Sequence, residues 1–341
     1  MADKQRVIIV GCGGMSAAWL KSAAELPDLE IVGLVDIRRE AAERRAAEFG
    51  LTEAFISTSV TEALQHTHPD GVFDCTVPEA HMAVTLEALA HGCHVFGEKP
   101  LSTSMENARK MVAAAQQAGR IYAVIQNRRY DPNIRRLRHF LQSGAIGRIT
   151  TVNCDFYLGP HFGGFRDEME HPLLLDMAIH TFDAARFITG ADPLGVICKE
   201  WNPPGSWYQG DASAVAVFDM TADIVYTYRG SWCTNGLTTT WESNWVITGE
   251  TGGVSWDGAD RFEAVAVGKV EGFHPQRTPI EVPAYDAGDK VGGHAGLIRD
   301  FVRAMQTGVA PETVCTDNIK SLSMVFGAIE ASAQRCWYAI G

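Results

Sequence analysis

The sequence has no Cys-x-x-Cys pair and no apolar run approaching the length of a membrane-spanning helix, and it is short of basic residues. Its eight cysteines are scattered, which argues against a zinc site or a thioredoxin-like motif, so we expect no metal and mostly buried, reduced thiols. The formal net charge of -12 disfavours nucleic acid and anionic membrane as partners, because both would be repelled.

The N-terminal stretch also lacks the pattern of a secretory signal, because the apolar run at residues 7–10 is too short and no cleavage-site pattern follows it. A cytoplasmic location is therefore expected. Internal repeats, low-complexity tracts and long charge runs are missing as well. At 341 residues the chain exceeds what one hydrophobic core usually serves, which favours two domains.

Strands and helices alternate over the first third of the sequence. Short apolar runs are followed by helical patterns that end at proline or glycine. This alternation predicts a parallel sheet with helices on both faces, which is an α/β domain. The predicted strands are residues 7–10, 31–35, 72–75, 94–96 and 121–125, and the predicted helices are residues 15–26, 39–49, 79–90 and 104–118.

The pattern changes after about residue 130, where β-rich stretches alternate apolar and polar residues as half-buried antiparallel strands do. We expect an α+β domain over residues 129–341, built on an open, largely antiparallel β-sheet. Its predicted strands are residues 149–158, 212–220, 224–228, 241–248, 253–256 and 263–267, and its predicted helices are residues 133–141, 173–189, 294–306 and 319–338.

A glycine-rich turn follows the first predicted strand and opens the first predicted helix. Gly11 and Gly13 match the first two positions of the G-x-G-x-x-G pattern, and Ser16 supplies a small residue at the third. A helix N-terminus there offers N–H groups to phosphates. Such a turn alone is a weak signal, because a glycine turn also occurs where no ligand binds. Here, however, Asp36 ends the second strand, where its carboxylate could accept hydrogen bonds from ribose hydroxyls. Residues 1–128 are therefore predicted to form an NAD(P)-binding Rossmann domain.

The acidic residue at the end of the second strand bears on the choice of cofactor. The Asp36 carboxylate would repel a 2′-phosphate, which favours NAD. Arg38 and Arg39 lie just beyond and could pair with such a phosphate, so NADP remains possible.

Two further features carry candidate chemistry. Lys99 follows the strand at residues 94–96, at the sheet edge where ligands bind, and Pro100 restricts how Lys99 leaves the strand. Asp176 and His180 are spaced i, i+4, so on one helix they would share a face, and imidazole suits proton transfer near neutral pH. Taken alone, the lysine reads as a solvated surface residue, and the Asp and His as structural residues.

The combination of the glycine turn, Glu98-Lys99-Pro100 and Asp176-x-x-x-His180 resembles the Gfo/Idh/MocA family of glucose–fructose oxidoreductases and inositol dehydrogenases. The resemblance covers nearly the whole chain. It includes Thr76-Val77-Pro78 followed by His81, which is similar to the family segment at the nicotinamide. It also includes Asn127-Arg128-Arg129-Tyr130, which is similar to the family's domain junction.

The resemblance implies a Rossmann domain, a substrate-binding and oligomerisation domain, NAD or NADP as cofactor, and oxidation or reduction of sugars, cyclitols or related polyols at a carbinol or ketone carbon. It implies that Lys99 lies near the reacting oxygen. Our hypothesis makes His180 the general acid/base, with Asp176 binding a substrate hydroxyl or orienting His180. A homo-oligomer, dimer or tetramer, is implied because the family often pairs subunits through the outer face of the second sheet.

Two other functions share this fold and stay open at this point. One is an NAD-dependent glycosidase that uses transient oxidation, and the other is a non-catalytic protein that senses NAD or sugar. Retention of Lys99, Asp176 and His180 together argues against the second.

The segment before Asp176 departs from the family pattern, which has a run of glycines there. Glu170-His171-Pro172 replaces them, and the preceding loop carries His161 and Arg166, which either contact substrate or are ordinary loop residues.

The predicted cofactor contacts are Gly11, Gly13, Gly14, Met15, Ser16, Asp36, Arg38, Thr76, Pro78, His81, Glu98, Lys99 and Asn127. The predicted substrate contacts are Lys99, Arg128, Tyr157, His161, Arg166, His171, Asp176 and His180. Six tryptophans of the second domain, Trp201, Trp207, Trp232, Trp241, Trp245 and Trp256, are expected mostly to pack rather than to stack on sugar.

Overall fold

The computed structural model describes residues 4–271 and 273–341, so residues 1–3, with which the predicted first domain begins, lie outside it. The chain forms two compact units. The first comprises Met1–Tyr130 and Asp289–Leu322, and the second comprises Asp131–Gly288 and Ser323–Gly341.

The first unit is built on a parallel sheet of six strands in the order β3-β2-β1-β4-β5-β6. Apolar side chains of its central strands are fully buried, as expected for a sheet covered on both faces. The strands are β1 (Gln5–Val10), β2 (Leu29–Val35), β3 (Phe55–Ser57), β4 (Gly71–Asp74), β5 (His94–Gly97) and β6 (Tyr122–Val124), and the helices are α1 (Gly14–Ala23), α2 (Arg39–Glu48), α3 (Val60–Thr67), α4 (Pro78–Ala90) and α5 (Met105–Ala118).

The predicted parallel α/β sheet is confirmed, and its strand order reverses beside β1, which has β2 on one side and β4 on the other. Ligands of open α/β sheets bind at such a switch point, beyond the carboxyl ends of the strands. β3 and α3 were not predicted from the sequence. β3 has only three residues, and α3 is short, although Ser59 accepts a hydrogen bond from the Glu62 N–H as an N-cap does.

The second unit is built on a sheet of nine strands in the order β14-β13-β12-β11-β7-β10-β9-β8-β15. β7 and β10 pair parallel, and the other neighbouring pairs run antiparallel, which confirms the predicted open, largely antiparallel sheet. The strands are β7 (Ile149–Tyr157), β8 (Pro193–Trp201), β9 (Ser213–Met220), β10 (Ile224–Ser231), β11 (Asn244–Gly249), β12 (Gly252–Trp256), β13 (Phe262–Glu271), β14 (His274–Ile280) and β15 (Tyr338–Ala339).

Two long strands of this sheet, β8 and β14, were not predicted. β14 contains Pro275 and Pro279, which argue against a strand in the sequence, but it lies at the sheet edge, where proline is tolerated. Trp232, Trp245 and Trp256 are almost fully buried, as expected for packing residues, whereas Trp201 and Trp241 are exposed.

Two helices of the second unit, α6 (Pro132–Gln142) and α7 (Ile179–Thr189), pack together, and α7 also packs against β7. Phe182 of α7 packs edge-on against Phe218 and Tyr228, with ring centroids 4.9 and 5.1 Å apart. The single helix predicted over residues 173–189 is in fact two segments, because Pro172–Ala178 is π-helical and α7 starts at Ile179. Single π-turns of this kind are frequent at functional sites.

The last two helices are α8 (His294–Thr307) and α9 (Cys315–Gln334). α8 packs against α1 and β1, and Phe301 stacks on Phe96 of β5 at 4.8 Å. Residues 289–322 therefore belong to the first unit, which differs from the predicted division at residues 128 and 129. From the sequence alone, the apolar face of a helix does not show which of two sheets it covers.

No helix in the described part of the chain is both long and apolar enough to cross a membrane.

Candidate active site

The glycine turn after β1 is shaped by one close approach. Gly11 has a φ of 88°, and a Cβ on it would lie 2.7 Å from the Cys75 carbonyl carbon and oxygen. Ser16 is fully buried and its hydroxyl donates to the Gly13 carbonyl at 2.7 Å. Glycine is therefore required at the first position of the pattern, while a small buried hydroxyl closes the third.

The N-terminus of α1 faces open space. A Cβ on Gly13 or Gly14 would meet no atom within 4 Å, and no side chain caps the first turn of the helix. Helix N–H groups left without side-chain partners attract anions. This end of α1, with the adjacent half-exposed Met15, fits a pyrophosphate.

Asp36 lies just past β2 and binds the turn. Its carboxylate accepts from the Cys12 N–H at 2.8 Å and from the Arg38 N–H at 2.9 Å. The Arg38 side chain is largely exposed, with Nε 3.9 Å from the Asp36 carboxylate. The carboxylate is thus held in one orientation at the sheet edge where the ribose is predicted to bind.

A buried polar cluster lies beyond β4. Asp74 is almost fully buried, and burial raises the pKa of its carboxyl group. The Thr76 N–H and hydroxyl both donate to Asp74, and the His81 ring lies 3.2 Å from the Thr76 carbonyl and 3.0 Å from the Pro100 carbonyl. His81 thereby links the segment after β4 to the segment after β5. Pro78, the first residue of α4, starts the helix that carries His81.

Glu98 and Lys99 follow β5. Glu98 is buried, accepts from the Trp19 indole N–H at 2.7 Å, and accepts from the Lys99 backbone N–H at 3.2 Å. The Lys99–Pro100 peptide bond is cis. This buried carboxylate fixes the backbone from which the Lys99 side chain leaves.

His294, the first residue of α8, was missed by the sequence analysis. Burial lowers the pKa of its imidazole, the positive charge of Lys99 lowers it further, and Glu98 opposes that shift. His294 therefore lies within electrostatic range of both residues. The only sequence signal was its place after Gly292-Gly293 at a helix start.

The predicted junction, Asn127–Tyr130, forms a 3₁₀ turn after β6. Arg128 is buried, and the Tyr130 hydroxyl donates to Asp300 at 2.5 Å. Asn127 and Arg128 thus follow a strand end, as do Gly11, Asp36, Thr76 and Glu98. The predicted cofactor contacts of the first unit gather at the carboxyl edge of its sheet.

In the second unit, Asp176 lies in the π-helical segment and is buried. Arg166 donates to its carboxylate at 2.8 Å through Nε. His180 is the second residue of α7 and is partly exposed. Because the turn between Asp176 and His180 starts in π geometry, the two do not follow the regular α-helical spacing assumed from sequence.

Three other predicted substrate contacts have neighbours of their own. His171 Nδ1 lies 3.1 Å from the buried Glu200 carboxylate, and the His161 ring stacks on Trp207 with centroids 3.7 Å apart. Tyr157 ends β7, and burial raises the pKa of its hydroxyl.

Among the residues described, no group of three histidine, cysteine or acidic side chains is arranged to hold a metal ion.

Comparison with known proteins gives matches over most of the chain. Residues 5–126 match the model of the oxidoreductase family with an NAD-binding Rossmann fold, and residues 134–255 match the GFO/IDH/MocA C-terminal domain. The chain is 28% identical to protein y4oX of Sinorhizobium fredii, over 96% of this chain and 93% of that protein.

One relative whose name states its reaction aligns with this chain over about half of the length of each protein. The chain is 32% identical to the 1,5-anhydro-D-fructose reductase of Ensifer adhaerens, over 54% of this chain and 56% of that enzyme. A solved structure of an oxidoreductase from Agrobacterium radiobacter, in complex with NAD⁺, L-tartaric acid and magnesium, superimposes with a TM-score of 0.86 at 20% identity. That match covers 99% of both chains and shows a shared fold.

Proposed function

Because the chain belongs to the GFO/IDH/MocA oxidoreductase family, we propose that it is an NAD-dependent dehydrogenase or reductase that acts on a carbinol or ketone carbon of a sugar, cyclitol or related polyol. The aligned relative that reduces 1,5-anhydro-D-fructose supports a sugar-like substrate. The observation that carries the proposal is the uncapped N-terminus of α1 beside Gly13, with Asp36 fixed at the next strand end.

The residues of the first unit fit an NAD molecule. We assign the pyrophosphate to the turn Gly11–Ser16, the adenosine ribose to Asp36, and the nicotinamide side to Thr76, Pro78, His81, Glu98 and Asn127. Bound NAD would supply the hydride acceptor or donor. Asp36 favours NAD over NADP, although the exposed Arg38 leaves room for both.

We assign the catalytic chemistry to three side chains. His180 acts as general acid/base, Lys99 polarises the reacting oxygen, and Asp176 binds a substrate hydroxyl or orients His180. Arg166, already held by Asp176, and Arg128, Tyr157, His161 and His171 are the remaining candidate substrate contacts. The second unit would thus bind substrate, and its sheet would also mediate oligomerisation of a cytoplasmic protein.

A spectrophotometric panel tests this assignment. Cyclitols, aldoses and keto-sugars are incubated with NAD or NADH, and the absorbance of NADH is followed. We expect Lys99→Met to lower turnover by roughly 10²–10⁴-fold, as is typical when a positioned acid or base is lost, while NAD binding measured by fluorescence stays intact.

Lys110→Met is the matched control, because Lys110 is an exposed lysine of α5 that pairs with Glu106. It should turn over like the wild type. Near-wild-type turnover of Lys99→Met would show the catalytic assignment to be wrong, and NAD binding without turnover on the whole panel would contradict the proposed reaction.

A further inference from the structure

Three loops of the nine-stranded sheet lie at the same end of its strands. β7 ends at Tyr157 and β10 ends at Ser231, and these two residues are paired. Ser213, which starts β9, pairs with Ser231 and also with Trp201, which ends β8. The loops at residues 158–171, 202–212 and 232–243 therefore lie together, and the segment bearing Asp176 follows the first of them.

Two of these loops form an aromatic cluster, which we define as Phe162, Trp232 and Trp241. The Phe162 ring centroid lies 6.0 Å from Trp232 and 6.4 Å from Trp241, and the two indoles pack edge-on at 5.6 Å. Trp232 is fully buried, but Phe162 is 55% exposed and Trp241 is 44% exposed. A buried indole thus packs against two aromatic side chains, and about half of the surface of each of these two is exposed to solvent.

Arg166 connects the aromatic cluster to Asp176. Its guanidinium carbon lies 5.3 Å from the Phe162 ring centroid and 4.8 Å from that of Phe165, which is itself 53% exposed. Its Nε donates to the Asp176 carboxylate at 2.8 Å. The Arg166 side chain therefore contacts both the exposed aromatic rings and the carboxylate of Asp176, the predicted substrate-binding residue.

The charges around the aromatic cluster favour a neutral ligand. Arg166 is paired by Asp176, and the same loop carries Asp167, Glu168 and Glu170. Burial, together with the charges of Asp176 and Asp167, raises the pKa of the Tyr208 hydroxyl to about 12, so this group stays neutral as well. Sugar phosphates and sugar acids would meet repulsion here, whereas apolar ring faces stack well on Phe and Trp.

We propose that the aromatic cluster is a second binding site beside Asp176, for the neutral ring that the substrate carries beyond the ring being oxidised or reduced. The substrate is then a glycoside, with a second sugar or an aryl group at this site, rather than a free monosaccharide or cyclitol. The inference rests on the proposed function, because it takes Asp176 to bind the reacting ring.

Steady-state kinetics with matched sugars test the second site. Each of several hexoses is offered as the free sugar, the methyl glycoside and the phenyl glycoside, with NAD in excess. We expect the wild type to prefer phenyl over methyl glycoside in kcat/KM by roughly tenfold. Phe162→Ala and Trp241→Ala should bring that ratio close to one by raising KM for the phenyl glycoside, with little change for the methyl glycoside.

Phe273→Ala is the matched control. Phe273 is 93% exposed and lies between β13 and β14, at the far end of the sheet order from β8. It should keep the wild-type ratio, and thermal unfolding of all three variants checks that they fold.

The outcomes separate the two proposals. If methyl and phenyl glycosides are oxidised equally well by the wild type, or if Phe162→Ala lowers kcat/KM equally for both, the second site is wrong while the oxidoreductase assignment stands. If none of these sugars, and no cyclitol or keto-sugar, changes the NADH absorbance, the proposed function itself fails and the second site with it.

Discussion

The Asp36 carboxylate accepts two backbone hydrogen bonds that stabilise different segments. It holds the glycine turn through the Cys12 N–H and holds its own loop through the Arg38 N–H. Both bonds leave the negative charge at a fixed point, and a fixed charge repels another anion more effectively than a mobile one. We therefore expect cofactor choice to depend on this residue more than on the exposed arginines beside it.

Replacing Asp36 should shift cofactor use toward NADP. Asp36→Asn keeps an acceptor oxygen but removes the charge, so we expect the ratio of kcat/KM for NAD to that for NADP to fall by about tenfold or more. The double variant Asp36→Asn, Arg38→Ala should reverse part of the gain, because it also removes a partner for the 2′-phosphate. An unchanged ratio in Asp36→Asn would mean that the ribose does not lie at Asp36.

His171, the residue before the π-helical segment Pro172–Ala178, belongs to a pair of titratable side chains. The His171 carbonyl accepts from the Leu175 N–H at 3.0 Å, and its ring faces Glu200 of β8. The Glu200 carboxylate, 3.1 Å from the His171 ring, raises the pKa of His171 against the cost of burial, and the charges of Glu170 and Asp211 raise it further. Burial in turn raises the pKa of the Glu200 carboxyl group, an effect that His171 opposes.

This pair predicts a pH-dependent stability. Because the pKa of His171 is higher in the folded than in the unfolded protein, its contribution is complete below pH 6.5 and is lost as the pH rises above that through the folded-state pKa. We expect Tm to fall by roughly 2–4 °C across that range, and Glu200→Gln to remove that dependence. Thermal unfolding followed by circular dichroism measures it.

Glu168→Gln, which removes an exposed carboxylate from the preceding loop, should keep the wild-type pH dependence. A wild-type Tm that stays flat above pH 6.5, or a Glu200→Gln variant with the same slope, would contradict the pairing.

Sequence patterns predicted those structural elements that are determined by residues nearby in the sequence. The turn at Gly11, the strand ending at Asp36 and the helix stops at glycine depend on neighbours a few residues away, so they could be read from the sequence. The pairing of His171 with Glu200, the π geometry around Asp176 and the return of α8 to the first sheet depend on distant contacts. Periodicity does not record such contacts, and His294 was missed for the same reason.

The outer face of the nine-stranded sheet is unusually apolar for a surface left in water. Ile197, Val217 and Val246 are exposed and lie in one row, which crosses five strands through Thr227 and Asn153. Val215 and Val225 are exposed on strands of the same row. Several exposed apolar side chains grouped on one sheet face in this way are typical of protein interfaces.

A second copy of the chain would cover this row, since a two-fold axis pairs the same patch on both subunits. We expect the protein to be a dimer or tetramer by light scattering at micromolar concentration, and Val217→Asp to shift it toward monomer, because each two-fold contact would then bury two carboxylates. Val217→Thr keeps the β-branched shape and should weaken assembly less. Val309→Asp, which charges an exposed valine of the first unit, should leave the oligomer intact. A wild-type monomer, or a Val217→Asp variant that assembles like the wild type, would rule out this face as the interface.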